Sequence, residues 1–374
     1  MKILYLSLSY VPSRRASSIQ VMRTCSAYAQ RGHDITLVAK RYDEPAARGG
    51  SIHEFYGVAP TFRIDLAPRP PYRGGGVVYA AAIGRRVLSA SGRVDLVYCR
   101  DLVGAAIAAR LGMPVVLESH GVPETTWQRR LWRHAVRARS FVGLVVVSNA
   151  LHRELERLQL LPSNGRVVIA RNATEPFSGS EPRPTTSSPP RIGYIGNLYE
   201  NRGLEIIVEL ARRVPHCQFE LVGGSEHDLT RWRALRLPPN VILRGFQPPS
   251  KLHEIYRSLD VLLMPYPRDG IRGPTGGADS SKWCSPIKMF EYMASGVPLV
   301  ASDLPVLQEV LTNGENALIV PATDVEAWRA AIERLLHDPV LRVALAGKAL
   351  SDVRAQFTPE ARASRVFDGL GLDG

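Results

Sequence analysis

Residues 285–305 read SPIKMFEYMASGVPLVASDLP (Ser285–Pro305), and the rest of the chain is best understood outward from this stretch. Ser285 is a natural N-cap, and Pro286 suits the first helical position, where its missing N–H is no loss. Ile287, Met289, Phe290 and Met293 then form a one-sided apolar pattern. Gly296 reads as the helix stop, with Pro298 just beyond it. Leu299 to Ala301 resume as a short apolar strand. A helix start of this kind presents free N–H groups and a positive dipole end, which suits a phosphate. Lys288 and Glu291 share a face of the helix with Ser285. The pattern predicts a phosphate at the cap, Lys288 beside it and Glu291 on the ribose hydroxyls. The same residues also describe an ordinary core helix whose Lys288–Glu291 pair is solvated and contributes only about 0.3 kcal/mol.

The helix-then-strand unit recurs on both sides. In the first half, strands are predicted at KILYLSLSY, HDITLVA, DLVYC, PVVLES, GLVVVS and RVVIA. Helices fall between them, one capped by Ser17 or Ser18, others at 101–111 and 149–158. Near-continuous apolar strands separated by helices indicate a parallel sheet covered on both faces. Residues 176–190, PFSGSEPRPTTSSPP, read as an interdomain linker. The alternation restarts with RIGYIG, a helix at 203–213, CQFELVGG, VILRGF, a helix at 250–259 and DVLLMPY. A helix at 325–337 and an amphipathic stretch at 339–371 complete the chain. The prediction is therefore an α/β protein of two Rossmann-like doubly wound domains facing a central cleft, where ligands bind outside the carboxyl ends of the strands. The expected boundaries are 1–175, a linker at 176–190, 191–355, and a C-terminal helix at 356–374 returning to the first domain.

A chain of 374 residues suffices for two independent cores, and 45% hydrophobic content is that of an ordinary globular protein. No apolar run reaches the roughly 18 residues a membrane span needs. MKILYLSLSYVP lacks the features of a secretory signal, and Cys25, Cys99, Cys217 and Cys284 show no metal spacing. These features lead us to expect a cytoplasmic protein with reduced cysteines. The net charge of +12 is uneven: residues 1–172 hold 25 Lys and Arg against 11 Asp and Glu, the remainder 22 against 24. A basic first half calls for an anionic partner, whether nucleic acid, an acidic membrane surface or a phosphorylated substrate.

With these segments in order, the second half resembles the donor-binding domain of GT-B glycosyltransferases, specifically the large retaining family 4 (glycosyl transferases group 1). The residues that carry the likeness are YIGNLYENRGLEIIVEL (194–210), FELVGG (219–224), NVILRGFQPPSKLHEIYRSLDVLLMPY (240–266) and SPIKMFEYMASGVPLVASDLPVLQEV (285–310). In the first half, GHDITLV, VVLESHG, VVVSNAL and VVIARNA resemble the acceptor domain more loosely. The resemblance implies that a hexose-type sugar moves from a UDP- or GDP-linked donor to an acceptor hydroxyl, with retention of configuration. Bacterial glycolipid, exopolysaccharide, cell-surface glycan and natural-product assembly are the implied settings. It also implies a metal-independent reaction with no cofactor beyond the nucleotide sugar, and the chain shows no Asp-x-Asp motif.

Position by position, the resemblance assigns Glu291 to the donor ribose and the backbone around Ser285, Pro286, Ile287 and Met289 to the diphosphate and sugar. Arg202 and Lys288 become the cations neutralising the diphosphate, with Arg202 standing where the family usually has Lys. Arg there can clamp phosphate bidentately. His120 matches a His near the transferred sugar, and Ser17, Gly196, Asn197 and Gly223 complete the donor side. Three positions depart from the family. Trp283 stands eight residues before Glu291, where a second acid often reads the sugar, leaving Asp279 or a main-chain contact to substitute. Ala16, Ser17 and Ser18 replace the glycines of the first loop, and Asn197 replaces an Arg.

RRLWRHAVRAR (129–139) places Arg129, Arg133 and Arg137 four residues apart, beside Leu131, Trp132, Ala135 and Val136. Two readings fit: an interfacial helix attracted to anionic lipid, or a core-packed helix with a solvated Arg face. The first implies peripheral docking on the inner membrane face to reach a lipid-linked acceptor. A Pro- and Gly-rich stretch around 68–76 is expected to be a mobile loop on the acceptor side. Two other functions compete. A nucleotide-sugar 2-epimerase shares the architecture but needs no acceptor. A basic nucleic-acid-binding protein would explain the charge, yet there is no zinc pattern or RNP-type aromatic motif.

Overall fold

The computed structural model describes residues 1–47, 49–68, 75–163, 165–184, 186–271 and 279–372. The stretch expected as a mobile loop around 68–76 lies mostly outside them. The chain divides into two compact units, one built from residues 1–172 and 359–374, the other from 173–358.

The first unit carries seven strands: β1 (Lys2–Val11), β2 (Asp34–Arg41), β3 (Arg63–Ala67), β4 (Leu96–Cys99), β5 (Val115–Ser119), β6 (Phe141–Val146) and β7 (Arg166–Ile169). All pair in parallel, in the order β3-β2-β1-β4-β5-β6-β7. Residues of β4 and β5 are buried throughout, as strands covered on both faces must be. The second unit carries β8 (Arg191–Ile195), β9 (Gln218–Val222), β10 (Val241–Arg244), β11 (Val261–Met264), β12 (Leu299–Ser302) and β13 (Leu318–Val320), again parallel, in the order β10-β9-β8-β11-β12-β13. Both sheets reverse their strand order, between β1 and β4 and between β8 and β11. Doubly wound sheets bind ligands at that reversal, outside the carboxyl ends of the strands.

Several elements escaped the periodicity argument. β3 is a half-buried edge strand, RIDLA, too short and too polar to stand out. β13 has only three residues. The helix Glu226–Arg233 begins with a Ser225/Asp228 capping box that was legible but not used. The stretch 339–371 is two helices, Pro339–Gln356 and Pro359–Leu370, and Pro359 at the start of the second bars a continuous helix.

The expected linker at 176–190 is instead a strap packed on the second unit. Arg342 is 3% exposed and donates to the carbonyls of Pro184 and, at 3.0 Å, Leu335. Asp260 accepts the Ser187 N–H at 3.1 Å and the Arg191 N–H at 2.8 Å. Glu181 pairs with Arg354 at 2.7 Å. A Pro/Ser/Thr composition reports the absence of regular secondary structure; these side chains supply the backbone partners that a helix or strand would otherwise provide.

The basic helix also needs correction. It runs Thr126–Val136 and buries Trp132, Ala135 and Val136. Trp132 donates its indole N–H to the Leu160 carbonyl at 2.7 Å, so the apolar strip faces the core and offers no lipid-binding face. Arg133 and Arg137 are exposed, while Arg129 donates to the Pro123 carbonyl at 3.2 Å. The exposed tryptophan on this helix is Trp127, at 54%. Among the described residues, no helix is long and apolar enough to cross a membrane.

Candidate active site

The strand reversal of the second sheet is built by glycines and tyrosines. Gly196 follows β8 directly, and a Cβ there would lie 2.6 Å from Lys288 Nζ. Gly223 follows β9 with φ +117°, and a Cβ there would stand 2.2 Å from the Gly196 carbonyl oxygen. Gly203, at φ +72°, caps the helix Leu204–Arg213, and a Cβ would fall 1.6 Å from the Pro265 carbonyl just past β11. Only glycine lets three backbone segments converge this closely at the ends of three strands.

The helix of the 285–305 stretch runs Ile287–Met293, with Pro286 rather than Ser285 at its N-cap. The Ser285 cap expected from the sequence is therefore one residue early, because Pro286 keeps an extended ψ of 124°. Ile287, Met289, Phe290, Tyr292 and Met293 are buried. The side chains of Ile287 and Met289 are committed to the core, so only their backbone can meet a ligand. Tyr292 ties the helix to the end of β8: its hydroxyl accepts the Ile195 N–H at 2.8 Å and donates to the Ile195 carbonyl at 3.0 Å. Gly296 then turns at φ +71°, where a Cβ would meet the Ser180 carbonyl at 1.7 Å.

Lys288 points from this helix toward Tyr194 of β8. Its Nζ donates to the Tyr194 hydroxyl at 2.5 Å and lies 3.8 Å from that ring centroid. Tyr194 in turn donates to the Asn197 carbonyl at 2.9 Å. Tyr266, just past β11, lies near two cations, with Lys288 Nζ 5.3 Å and the Arg202 guanidinium 5.5 Å from its ring centroid. Burial, and then the neighbouring Arg202, push the Lys288 amine well below its ordinary range, with Glu291 acting the other way. Tyr266 is raised to about 12 by burial, against the pull of Arg202. Among the described residues Lys288 makes no salt bridge. Arg202 and Lys288 thus converge on one ring, an arrangement able to receive an anion.

Of the sequence-predicted residues, Gly196, Asn197, Arg202, Gly223 and Lys288 thus meet at the carboxyl ends of β8, β9 and β11. Ser285 and Pro286 precede the helix and Glu291 lies within it, half-buried. Asp279, named as a substitute sugar-reading acid, closes its own loop instead. It accepts N–H groups from Gly270, Ile271 and Ser281 at 2.8, 3.0 and 2.9 Å. Sequence reasoning missed Tyr194, Tyr266 and Tyr292, which sit on separate elements and share no spacing.

Ser17 and His120 belong to the first unit. Ser17 is exposed in the first turn of the helix Ala16–Gln30, whose N-cap is Arg15. Neither Ser17 nor Ser18 caps it: Ser18 is buried, its hydroxyl donating to the Tyr10 carbonyl at 2.7 Å. His120 follows β5, and its Nε2 lies 2.7 Å from Glu118 Oε1. Burial and then Arg100 lower the His120 imidazole to about 4, although Glu118 pulls it upward. It is a neutral ring at physiological pH.

Residues 17–176 match the model of Glycosyltransferase Family 4, and residues 189–338 match that of Glycosyl transferases group 1. The alpha-D-kanosaminyltransferase of Streptomyces kanamyceticus is 24% identical over 294 residues, covering 70% of this chain and 72% of that protein. A phosphatidyl-myo-inositol mannosyltransferase of Mycobacterium leprae is 30% identical over 168 residues, 42% of this chain and 41% of that one. Among solved structures, sucrose-phosphate synthase from Thermosynechococcus elongatus superposes with a TM-score of 0.74 at 18% identity, each chain covered in full. Anabaena HepE, solved with UDP-glucose, gives 0.69 at 16%, again with full coverage of both. Two parallel α/β units with these neighbours have the GT-B fold, and with both halves matched the chain belongs to the family 4, group 1 glycosyltransferases.

Proposed function

We propose that this glycosyltransferase moves a hexose-type sugar from a UDP- or GDP-linked donor to an acceptor hydroxyl, with retention of configuration and without a metal. The observation that carries the proposal is the pair Arg202 and Lys288 flanking Tyr266 at the strand reversal. The barrier to glycosyl transfer lies in expelling a diphosphate while positive charge develops on the sugar. In this reading Arg202 clamps the diphosphate and Lys288 offers the second positive charge. The backbone at 285–289 adds N–H donors, and Glu291 holds the ribose. Preorganised electrostatics of this kind lower barriers by about 3 kcal/mol per donor. Lys288, starved of counter-charge in the free protein, regains a full proton when the diphosphate arrives. His120 is assigned to the transferred sugar as a neutral hydrogen-bonding group.

A lipid-linked or glycan acceptor fits the company of the chain: the relatives include a phosphatidyl-myo-inositol mannosyltransferase and a lipopolysaccharide core glycosyltransferase of Rhizobium meliloti. Exposed Arg133 and Arg137, with Trp127 on the same helix, support contact with an anionic membrane surface from the cytoplasmic side. Co-sedimentation that ignores the anionic lipid content of vesicles would count against that contact.

The test of the reaction is a panel of UDP-, GDP- and ADP-sugars. Thermal stabilisation by one donor, and nucleotide release only in the presence of an acceptor, are the expected results. Turnover of the nucleotide sugar without any acceptor would instead favour an epimerase.

A further inference from the structure

Glu118 is a carboxylate placed where carboxylates rarely survive. It lies near the carboxyl end of β5, an interior strand of the first sheet, with a fully buried side chain. Its oxygens are surrounded by groups from four elements. Tyr98 of β4 donates to Oε2 at 2.5 Å, and Arg362 of the C-terminal helix Pro359–Leu370 approaches Oε2 at 3.0 Å. Arg100, just past β4, lies 3.7 Å from Oε1, and His120 Nε2 lies 2.7 Å from the same oxygen. Tyr5 of β1, together with Tyr28 and Cys25 of the helix Ala16–Gln30, completes the buried surroundings. Arg362 is itself 2% exposed and donates through Nε to the Arg171 carbonyl at 3.0 Å.

Two guanidiniums already outnumber the single carboxylate. A proton added to His120 would place a third positive charge in the cluster, so the ring stays neutral and carries one N–H. An ionised carboxylate can only accept. The 2.7 Å contact therefore requires that N–H to be on Nε2. Nδ1 makes no hydrogen bond among the described residues, and the His120 side chain is 30% exposed. From this geometry we infer that Glu118, with Arg362 and Arg100 as counter-charges, is a positioning residue that fixes His120 as the Nε2–H tautomer and presents Nδ1 outward as an acceptor. A ring held this way receives a hydrogen bond from a sugar hydroxyl and cannot serve as a general acid. The C-terminal helix thereby contributes to the active site through a charge that touches no substrate. The functional half of this inference rests on the assignment of His120 to the transferred sugar; the tautomer does not.

Side-chain 15N spectra of the full-length protein, with the His120 signal assigned by His120→Gln, read the tautomer directly. The Nε2–H form is expected from pH 8 down to about 5. An Nδ1–H form, or titration near the ordinary value of about 6.5, overturns the inference whatever any variant does. Removing Glu118 alone would strand Arg362, so the variants are made in pairs. Glu118→Gln with Arg362→Met keeps an acceptor for Nε2–H and should retain the tautomer and kcat within about 3-fold. Glu118→Met with Arg362→Met removes the acceptor and should mix the tautomers and lower kcat by about 10-fold or more, with donor KM unchanged. Equal loss in both pairs would mean that the cluster serves only as structure and would overturn the positioning role. Loss of the tautomer with kcat unchanged, both there and in His120→Gln, would uphold the positioning and reject the assignment of His120 to the sugar.

Discussion

The two units hold buried charge in opposite ways. In the first, Glu118 is fully buried and meets Arg362, Arg100, His120 and Tyr98. Burial alone would raise its pKa, yet Arg362, the His120 hydrogen bond and Arg100 together hold it well below the ordinary carboxylate range. There the carboxylate is answered from within the protein, by more positive charge than it carries. In the second unit Lys288 faces the rings of Tyr194 and Tyr266, and the Arg202 guanidinium lies 5.5 Å from the centroid of the Tyr266 ring. There, among the described residues, Lys288 makes no salt bridge. We infer that the first cluster orients a neighbour and propose that the second receives a ligand.

The largest effect should come from removing the second cluster. Lys288→Ala and Glu291→Ala should each abolish transfer, a loss of about 1000-fold or more in kcat/KM, while circular dichroism shows the fold intact. Near-wild-type activity in both variants would sink the site. Next comes the backbone that builds it. Gly203→Ala drives a Cβ against the Pro265 carbonyl at a left-handed φ and should destabilise the second unit by about 3 kcal/mol or more, read as a lowered Tm.

Proton linkage separates the two clusters more gently. Lys288 has a depressed pKa in the free protein, and on the proposed reading a diphosphate beside it would restore the ammonium. Donor binding should therefore take up protons above the depressed pKa and weaken as pH rises. Calorimetry in buffers of different ionisation enthalpy measures that uptake, and none above neutrality would remove Lys288 from the phosphate. The smallest expected effect lies in the first cluster. Folded His120 titrates at about 4, whereas an unfolded histidine titrates near 6.5. Between those values the unfolded chain binds a proton that the folded protein refuses. Stability contributed by His120 is therefore present above about pH 6.5 and is lost as pH falls toward 4. His120→Gln should flatten that part of the pH dependence of Tm.

Much of the fold was legible in sequence, and the failures share a cause. β8, β9, β11 and β12 announce themselves as apolar runs because strands buried on both faces have no other way to be covered. β3 and β13 do not, being too short for any period to register. The caps expected at Ser285 and at Ser17 or Ser18 lie one to three residues from those observed, Pro286 and Arg15, since several adjacent residues offer a hydroxyl or a fixed φ. Trp132 was ambiguous because an amphipathic helix shows the same stripe whether it faces lipid or a sheet. The Leu160 carbonyl waiting for its indole N–H belongs to another part of the chain. The strap at 176–190 gives no such local signal for the same reason, as its partners Arg342, Arg354 and Asp260 lie more than 70 residues away in sequence.

The sequence by itself determined the two doubly wound units, because periodicity is a local property of a chain; the resemblance its motifs carry gave the family and nominated Arg202, Lys288 and Glu291 for the site. The tertiary structure alone decided that Tyr194, Tyr266 and three glycines converge around those cations. It also decided that Arg362, 244 residues from Glu118 in sequence, supplies the charge behind His120. Burial and counter-charge depend on which distant segments pack together, and no local pattern encodes them.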